Sequence, residues 1–311
     1  MEHPNQTSVT FFIIKGISDV PKLQGPIFCL VLLIYIISIA GNMTIVILVC
    51  LDPHLQTPMY FFLCNLSLMD MSSITATLHK VFVIFITGNN KVTFAGCMTQ
   101  LFLFLSFTGD ELSILTAMSY DRYVAICNPL RYQALMNPKI CILMATICWL
   151  YGFLQAIPYL YFISSFSCYR SNKINHFFCD VVPLMQVTCS DTSVLELYIL
   201  TGSNILVGLT PSLLTCIPYI FIISTILKIR SSTGRRKTFY TCSSHITVVV
   251  LLYVTLFCQY IRPVSMDNLN SKKLLSLINT AAVPILNPLI YSLKNKDVKS
   301  ALRQWVKSCK V

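Results

Sequence analysis

The chain has 311 residues, of which 55% are hydrophobic and only 11% are charged. Soluble domains average about 45 to 50% apolar and about 25% charged residues, so the composition indicates a membrane protein. The formal net charge of +11 raises the possibility of nucleic-acid binding. A solvated basic face is a commoner source of such a charge, and the apolar spans leave no globular domain to bind nucleic acid.

Apolar windows set the predicted architecture. A bilayer core about 30 Å thick needs about 20 mainly apolar residues for each helical crossing. Seven such windows lie between charged or proline-containing stretches, at approximately 26–50, 58–82, 97–120, 140–162, 197–227, 238–261 and 274–293. We therefore predict an all-α membrane protein, a seven-transmembrane helix bundle. It divides into an N-terminal segment 1–25, a membrane domain 26–293 and a tail 294–311.

The distribution of basic residues predicts the orientation. With connections assigned alternately, nine Lys and Arg lie on the side of the N-terminus and fourteen on the other side. The positive-inside rule places the second side in the cytoplasm and the N-terminus outside the cell. Residues 1–25 lack the pattern of a cleavable signal peptide. Asn5 in Asn5-Gln6-Thr7 is then a glycosylation acceptor on the extracellular side.

The second window contains a carboxylate, Asp70, in the middle of an apolar run. A charged side chain at the bilayer centre costs about 2.5 to 3.5 kcal/mol on insertion scales, so it normally faces the bundle interior and has a partner. A structural polar contact and an ion-binding or switch role both remain open for Asp70.

The third window carries a line of side chains at steps of three and four, which share one helix face: Thr108, Glu111, Leu115, Met118 and Arg122. Glu111 and Arg122 are about 16 Å apart along the axis at 1.5 Å per residue. This face joins an acid in mid-membrane to a cation at the inner end. Asp110 points about 200° away from Thr108, and the sequence names no partner for it.

Cysteine positions differ between the two sides. Of fourteen cysteines, those predicted on the outer side, where disulfides persist, are Cys97, Cys168, Cys179 and Cys189. Four cysteines allow three pairings, and the residues alone do not select one. His176, Cys179 and Asp180 also form a candidate metal set, but a disulfide sulfur lacks the thiolate that a metal needs. A solvated loop histidine beside a disulfide is the better interpretation.

The later windows contain bends and an aromatic stripe. The loop 163–196 is long enough to be functional and two disulfides would fold it as a lid. Pro211 and Pro218 in the fifth window and Pro284 and Pro288 in the seventh remove backbone donors and permit bends. The outer half of the sixth window presents Tyr253, Leu256, Gln259 and Tyr260 at helical spacing. Packing and pocket lining both remain open for this stripe.

The tail after Tyr291 is basic and contains an apolar stripe made of Val298, Ala301, Leu302, Trp305 and Val306. This pattern predicts a short amphipathic helix on the inner leaflet of the lipid bilayer. Cys309 beyond it is a possible acylation site, and a free thiol is an equally good interpretation.

Six blocks of sequence, in this order on a seven-span frame, resemble the odorant receptors within the rhodopsin-like G-protein-coupled receptors. They are Gly41-Asn42, the segment 58–70, the segment Met118 to Cys127, the segment 176–180, the segment Lys237 to His245, and the segment Pro284 to Tyr291 with the two residues after it. One Asp-Arg-Tyr motif would be weak evidence, but six ordered blocks that cover nearly the whole chain are specific.

The resemblance implies functional assignments that periodicity does not. Cys97 would pair with Cys179, and Cys168 with Cys189. Asp70 and Glu111 would form a sodium-linked acidic site, with sodium as an allosteric ion and no other cofactor. The odorant pocket would lie near Phe104, Leu105, Thr108, Val207, Tyr253, Leu256, Gln259, Tyr260 and Thr280.

The resemblance also implies a signalling end. The residues implied in coupling or switching are Asp121, Arg122, Tyr123, Tyr219, Arg236, Lys237, Asn287 and Tyr291. Arg122 would face the G protein when the sixth span swings outward, with Asp121 as its restraint. Partners would be a small volatile odorant, a stimulatory olfactory G protein and, through it, an adenylate cyclase that raises cyclic AMP.

The chain departs from the family's pattern at four positions in the moving parts. Pro218 stands where serine is typical, Tyr240 replaces a serine, and Leu252 and Val254 flank Tyr253 where phenylalanine and glycine are usual. These changes bear on coupling efficiency rather than on the fold, because a proline removes a donor and stiffens the inner end of the fifth span.

The predicted function is therefore a receptor that binds a small, mostly apolar volatile and shifts a two-state population. No Lys or Arg falls in the pocket stretches, so we expect neutral ligands rather than carboxylates. The rivals are a non-olfactory small-molecule receptor, a transporter, an intramembrane enzyme and a non-signalling pseudoprotein. A transporter would show internal repeats, and an enzyme would need a Ser/His or Cys/His pair at one depth; the sequence shows neither.

Overall fold

The computed structural model of the protein describes residues 9–18, 20–260, 273, 276–294 and 296–308. The long helices are α1 (Pro21–Leu51), α2 (Pro58–Thr87), α3 (Phe94–Cys127), α4 (Pro138–Ser164), α5 (Ser193–Lys228) and α6 (Ser232–Tyr260). The next helix, α7, joins a π-helical segment Ile278–Ala282 to the α-helix Val283–Lys294, and α8 is Lys296–Ser308. Shorter helices are Pro53–Leu55, Pro129–Arg131, Tyr132–Leu135 and Val181–Val187.

Among the described residues, α1 to α5 are each long and apolar enough to cross a membrane. The other two predicted windows correspond to shorter apolar segments, His245–Leu256 in α6 and Ile278–Ile290 in α7. The first turns of α6 are basic and carry Arg235 and Arg236. The all-α bundle is as predicted.

Local sequence explains where the helices begin. Pro58 and Pro138 occupy the first positions of α2 and α4, where a missing N–H costs nothing and the fixed φ favours the helix. The Asn137 side chain accepts a hydrogen bond from the Ile140 amide at 3.0 Å, and Thr93 does the same for Gly96 at 3.1 Å. These caps satisfy free amides at the starts of α4 and α3.

Two prolines coincide with changes of helix type. The π-helical segment of α5, Ile199–Leu209, ends just before Pro211, and the one in α7 ends just before Pro284. A proline lacks the N–H and its ring crowds the carbonyl four residues earlier. The turn before it therefore widens, so the predicted bends at these two prolines take the form of π-helical turns.

Helix α3 is the centre of the bundle. It packs against α2, α4 and α5, and 72% of its most apolar window is buried, compared with 22% for α1. The line of side chains predicted on one face has Leu115 and Met118 fully buried and Glu111 nearly so. The other long helices surround α3 and expose apolar residues on their outer surfaces.

One end of the bundle, which we call the N-terminal face, carries a small three-stranded sheet. Its strands are β1 (Phe11–Ile14), β2 (Lys91–Thr93) and β3 (Lys173–Ile174), in the order β2-β1-β3. Strand β1 is antiparallel to β2 and parallel to β3. The N-terminal segment thus joins two loops of the bundle rather than extending freely.

The opposite end, which we call the C-terminal face, carries α8. Val298 and Ala301 of the predicted apolar stripe are buried, whereas Trp305 is 40% exposed. Helix α8 contacts α1 and the Pro53–Leu55 turn. Part of the stripe therefore packs on the bundle, and Trp305 is available to the bilayer; the Val306 side chain and Cys309 lie outside the described residues.

Candidate functional site

The residues implied to line a ligand pocket lie in two groups. Phe104 and Leu105 on α3 are buried in a hydrophobic cluster at the N-terminal face, with Phe178. The Phe104 and Phe178 rings meet edge to face with centroids 4.9 Å apart. This half of the predicted pocket is therefore closed by an aromatic side chain of the loop between α4 and α5.

The second group lies deeper in the bundle. Val207, Tyr253 and Leu256 are partly buried against a cluster in the middle and at the C-terminal face. The side chains of Gln259 and Tyr260, at the end of α6, lie outside the described residues. The assignment of these residues to a ligand pocket stays a prediction.

Two implied pocket residues lie in the π-helical segments: Val207 in α5 and Thr280 in α7. Such segments are rare and are frequent at functional sites. The Thr280 hydroxyl donates to the Ser276 carbonyl at 2.8 Å, and the Thr108 hydroxyl donates to the Phe104 carbonyl at 2.9 Å. Both hydroxyls thus donate within their own helices. A ligand could donate a hydrogen bond to either oxygen but would not receive one from it.

Two disulfides fix the loop that closes the pocket. They join Cys97 to Cys179 and Cys168 to Cys189, the same pairs that the family resemblance implies. The Cys179 amide also donates to the Gln100 side chain at 3.0 Å. The first disulfide holds Phe178 against α3, because the two residues are adjacent in the chain.

His176 lies under this loop rather than in solvent, as the sequence interpretation had it. The ring is buried, is stacked on Phe177 and lies close to Phe178. Burial, and then the charge of Lys273, lower the pKa of His176 to about 3, against a partly opposing contact with the Phe178 amide. His176 is therefore a neutral part of the loop core. The expectation of a solvated histidine is wrong, because the disulfide and β3 fold the loop inward.

Two acids and an amide meet in the middle of the bundle. Asp70 is fully buried and accepts two hydrogen bonds from the Asn287 amide nitrogen, at 3.1 and 2.9 Å. Glu111 is also buried and lies within electrostatic range of Asp70. Asp70 thus has the interior position and the partner that its cost in the membrane requires.

Neighbouring contacts hold the seventh helix to the first at this level. The Asn42 amide donates to the Pro284 carbonyl at 2.9 Å, and the Ser38 hydroxyl donates to the same carbonyl at 3.1 Å. A side chain at Gly41 would approach Pro288 at 3.1 Å, so glycine allows the two helices to meet closely. The Gly41-Asn42 block therefore positions α7, and with it Asn287.

The chemistry of this centre suits a hard monovalent cation. Asp70 and Glu111 supply carboxylate oxygens, and the Asn287 amide oxygen is buried with no hydrogen-bond partner among the described residues. Oxygen donors of this kind are the ligands that hard cations prefer. The described part of the chain contains no cluster of three or more His, Cys, Asp or Glu that could hold a metal ion.

The C-terminal end of α3 contains a buried ion pair. Arg122 Nη2 lies 3.2 Å from Asp121 Oδ2, and the Tyr132 hydroxyl donates to Asp121 Oδ1 at 2.8 Å. Burial, and then Asp121, raise the pKa of Tyr132 above its usual range, so Tyr132 remains a protonated donor. Asp121 is fully buried, and its carboxylate is therefore shared between a cation and a phenol.

The other implied coupling residues surround this pair. The Tyr219 hydroxyl on α5 contacts His245 Nδ1 on α6, and both side chains are buried. Tyr123 meets Phe221 edge to face with centroids 5.9 Å apart. Arg236 is exposed at the start of α6, and the side chains of Lys237, Tyr240 and Tyr291 lie outside the described residues. The described members therefore converge on the C-terminal face.

Asp110, which had no partner in the sequence, faces α4. Its carboxylate fills the space over Gly152: a side chain at that glycine would lie 1.9 Å from Asp110 Oδ1. Both residues are buried where α3 and α4 pack. The lack of a side chain at Gly152 thus leaves room for the buried carboxylate of Asp110 between the two helices.

Sequence reasoning missed three residues of these sites: Phe178, Tyr132 and His245. Phe178 is adjacent to a disulfide cysteine, which was the available signal. His245 ends a block that resembles the family, but its contact with Tyr219 depends on how α5 and α6 face each other. Tyr132 is eleven residues from Asp121 along the chain, and no periodic spacing connects them.

Comparisons with known proteins agree with this geometry. Residues 28–308 match the family model described as olfactory receptor. The chain is 43% identical to human "Olfactory receptor 2AP1" over 97% of this chain and 98% of that protein. It is 44% identical to mouse "Olfactory receptor 8B3" over 96% and 94% of the two chains. The crystal structure of squid rhodopsin superposes with a TM-score of 0.69 at 20% identity, covering 94% of this chain and 89% of that one.

Proposed function

The chain belongs to the olfactory receptor family of G-protein-coupled receptors, and from that premise we propose the class of its ligand and its signalling output. As a member of this family it is a multi-pass plasma-membrane receptor, not an enzyme, with an odorant as ligand and a G protein as partner. We propose that the odorant is a small, mostly apolar, neutral volatile. We propose further that the receptor activates a stimulatory olfactory G protein and so raises cyclic AMP.

The use of buried cations supports a neutral ligand, and this observation carries the proposal. Lys80 and Lys273 are the lysines buried near the N-terminal face among the described residues. Lys80 Nζ donates to the Asn89 carbonyl at 3.0 Å, and Lys273 Nζ donates to the Gly16 carbonyl at 3.2 Å. Both cations tie loops to helices. A carboxylate ligand would have to compete with these carbonyls for the two ammonium groups and break the contacts that hold the loops.

We propose that the N-terminal face is extracellular. The excess of Lys and Arg on the other side supports this orientation through the positive-inside rule. The two disulfides also support it, because both lie at the N-terminal face and disulfides persist outside the cytosol. The C-terminal face, with Asp121 and Arg122, is then available to a G protein.

The experiment is an odorant panel on surface-expressed receptor with a cyclic AMP reporter. The panel pairs neutral aldehydes, alcohols and esters with carboxylic acids of the same carbon skeleton. We expect responses from neutral members only, and only when the stimulatory olfactory G protein is co-expressed. A preference for acids would refute the ligand class, and an equal response with an inhibitory G protein alone would refute the coupling.

We also propose that Asp70, Glu111 and the Asn287 amide oxygen hold a sodium ion that favours the resting state. When bound, the ion would supply positive charge between two buried carboxylates. Since a ligand shifts a two-state equilibrium only through unequal affinity, sodium should lower odorant affinity. The test is Glu111→Gln at normal surface expression, with the exposed Glu196→Gln as control. We expect altered basal and odorant-driven signalling in the first variant only; unchanged signalling there would contradict the proposal.

A further inference from the structure

The membrane-facing side of the bundle contains a groove of about 480 Å³ between α3, α4 and α5. Its floor includes Ala117 on α3, and its walls include Met144 and Cys148 on α4 and Pro211 and Pro218 on α5. The implied odorant pocket shares no residue with this lining. The groove is therefore separate from the site proposed for the odorant.

The groove opens outward to the bilayer. Three apolar residues of its lining, Ile147, Leu214 and Ile217, are 56%, 53% and 46% exposed. They lie on two spans, at a depth where the surrounding solvent is hydrocarbon. Whatever fills the groove thus enters sideways from the membrane.

Three hydroxyl groups of the lining are already used within the protein. The Ser113 hydroxyl donates to the Asp110 carbonyl at 2.9 Å, and the Thr116 hydroxyl donates to the Leu112 carbonyl at 3.0 Å. The Tyr151 hydroxyl donates to the Leu206 carbonyl. A water molecule needs two to four polar partners to occupy a cavity. The groove therefore favours hydrocarbon over water.

The length of the groove corresponds to one leaflet. Its lining on α5 runs from Thr210 to Pro218, about 12 Å at 1.5 Å per residue. Half of a bilayer core is about 15 Å thick. The lining begins near the middle of α4 and α5 and runs toward the C-terminal face. A single acyl chain of the leaflet on that side fits this extent.

Basic residues beyond the groove, at the C-terminal face, indicate the headgroup. Lys139 at the start of α4 and Lys228 at the end of α5 are both exposed at the C-terminal face. Helix α4 contains no Asp or Glu, and neither does α5 beyond Glu196. The acid of α3 at this level, Asp121, is already paired with Arg122. A basic rim without acids attracts anionic lipids.

We propose that this groove binds one acyl chain of an anionic phospholipid, whose phosphate lies at the C-terminal face, where Lys139 and Lys228 are exposed. A sterol fits less well, because it carries no charge for the lysines. The inference does not depend on the odorant or the G protein. It uses the proposed orientation only to place the lipid in the cytoplasmic leaflet.

Pro218 gives this site a connection to signalling. The residue lines the groove and directly precedes Tyr219, which contacts His245 on α6. The Thr116 hydroxyl also pairs with Thr215 at 2.8 Å, joining the floor of the groove to α5. A chain in the groove therefore rests on the part of α5 that carries a switch contact.

The experiment is photo-crosslinking of full-length receptor in nanodiscs with phosphatidylserine that carries a photoreactive group on an acyl chain. Phosphatidylcholine and cholesterol with the same group are the comparison probes, and labelled peptides are mapped by mass spectrometry. We expect phosphatidylserine to label the peptides of α4 and α5 that line the groove, about fivefold more than phosphatidylcholine does.

Two pairs of variants locate the label. Leu214→Trp should fill the groove and abolish the labelling, while Leu213→Trp, an exposed neighbour outside the lining, should preserve it. The double variant Lys139→Gln with Lys228→Gln should weaken phosphatidylserine labelling at least about fivefold, and Lys307→Gln on α8 should not. Thermal unfolding of each variant establishes that it is folded.

Three results would overturn the proposal. Equal labelling by phosphatidylserine and phosphatidylcholine would mean that the lysines do not select the headgroup. Preferred labelling by cholesterol would make the groove a sterol site. Labelling of the groove peptides no stronger than that of the exposed surface of α1 would mean that the groove has no specific occupant.

Discussion

The two faces of the bundle are held together by different kinds of contact. At the N-terminal face, two disulfides and a three-stranded sheet tie the N-terminal segment to two loops. At the C-terminal face, the described contacts between elements are side-chain hydrogen bonds, such as Tyr132 to Asp121 and Tyr219 to His245. Covalent and sheet contacts resist separation, while single polar contacts exchange easily.

The difference indicates where the molecule can change shape. A ligand at the rigid face can shift a population only through elements that have two arrangements. The described contacts place such elements at the C-terminal face, where α5 and α6 meet α3 through side chains alone. The π-helical segments of α5 and α7 lie between the two faces, and they are positioned to convert a local change into a helix shift.

The largest expected effect comes from removing the disulfide between Cys97 and Cys179 at the N-terminal face. Cys97→Ser should lower surface expression strongly, because loss of a native disulfide costs about 2 to 5 kcal/mol. Flow cytometry of epitope-tagged receptor and thermal unfolding of the purified protein measure the effect. Cys29→Ser, at an exposed free thiol, is the control. Wild-type levels in Cys97→Ser would mean that the sheet alone holds this face.

A second expected effect tests the packing that supports both faces. Gly152→Ala places a carbon 1.9 Å from Asp110 Oδ1 and 2.5 Å from the Ser106 carbonyl. Overpacking of this kind costs about 1 to 3 kcal/mol, so the unfolding temperature should fall. Gly208→Ala, where nothing lies within 4 Å, should be neutral or slightly stabilising. Adding Asp110→Ala to Gly152→Ala should recover part of the loss, and failure to do so would contradict the match between the two residues.

More of the fold than of the functional site could be predicted from the sequence. Apolar windows and prolines give seven helices, because length and hydropathy act locally along the chain. The position of Asp70 inside the bundle also follows from its cost in a membrane. The burial of His176 and the contact of Phe178 with Phe104 do not follow, because they depend on how a disulfide folds a loop over α3.

A third prediction tests the ion pair at the C-terminal face. Asp121→Asn removes the charge that pairs with Arg122 but keeps an oxygen for the Tyr132 hydroxyl. Loss of about 1 kcal/mol of restraint would raise the active population, and basal cyclic AMP, by about fivefold. A reporter assay normalised to surface expression measures this change. Tyr132→Phe, which removes only the hydrogen bond at 2.8 Å, should have a smaller effect. If Asp121→Asn left basal signalling unchanged, the ion pair would not be a restraint.

The smallest expected effect is a pH dependence confined to the rigid face. Burial lowers the pKa of His176 to about 3, below its usual value of 6.5, so the unfolded chain binds this proton more tightly than the folded one. Stability from neutral His176 is therefore complete above about pH 6.5 and declines as the pH falls toward 3. Thermal unfolding at pH 7.5 and 5.5 should show this decline in the wild type. The variant His54→Gln, which replaces an exposed histidine, should show the same decline.

The variant His176→Phe should reduce the decline, because phenylalanine has no proton to gain. An undiminished decline in His176→Phe would assign the pH dependence to another group and remove His176 from the account of why the N-terminal face is rigid.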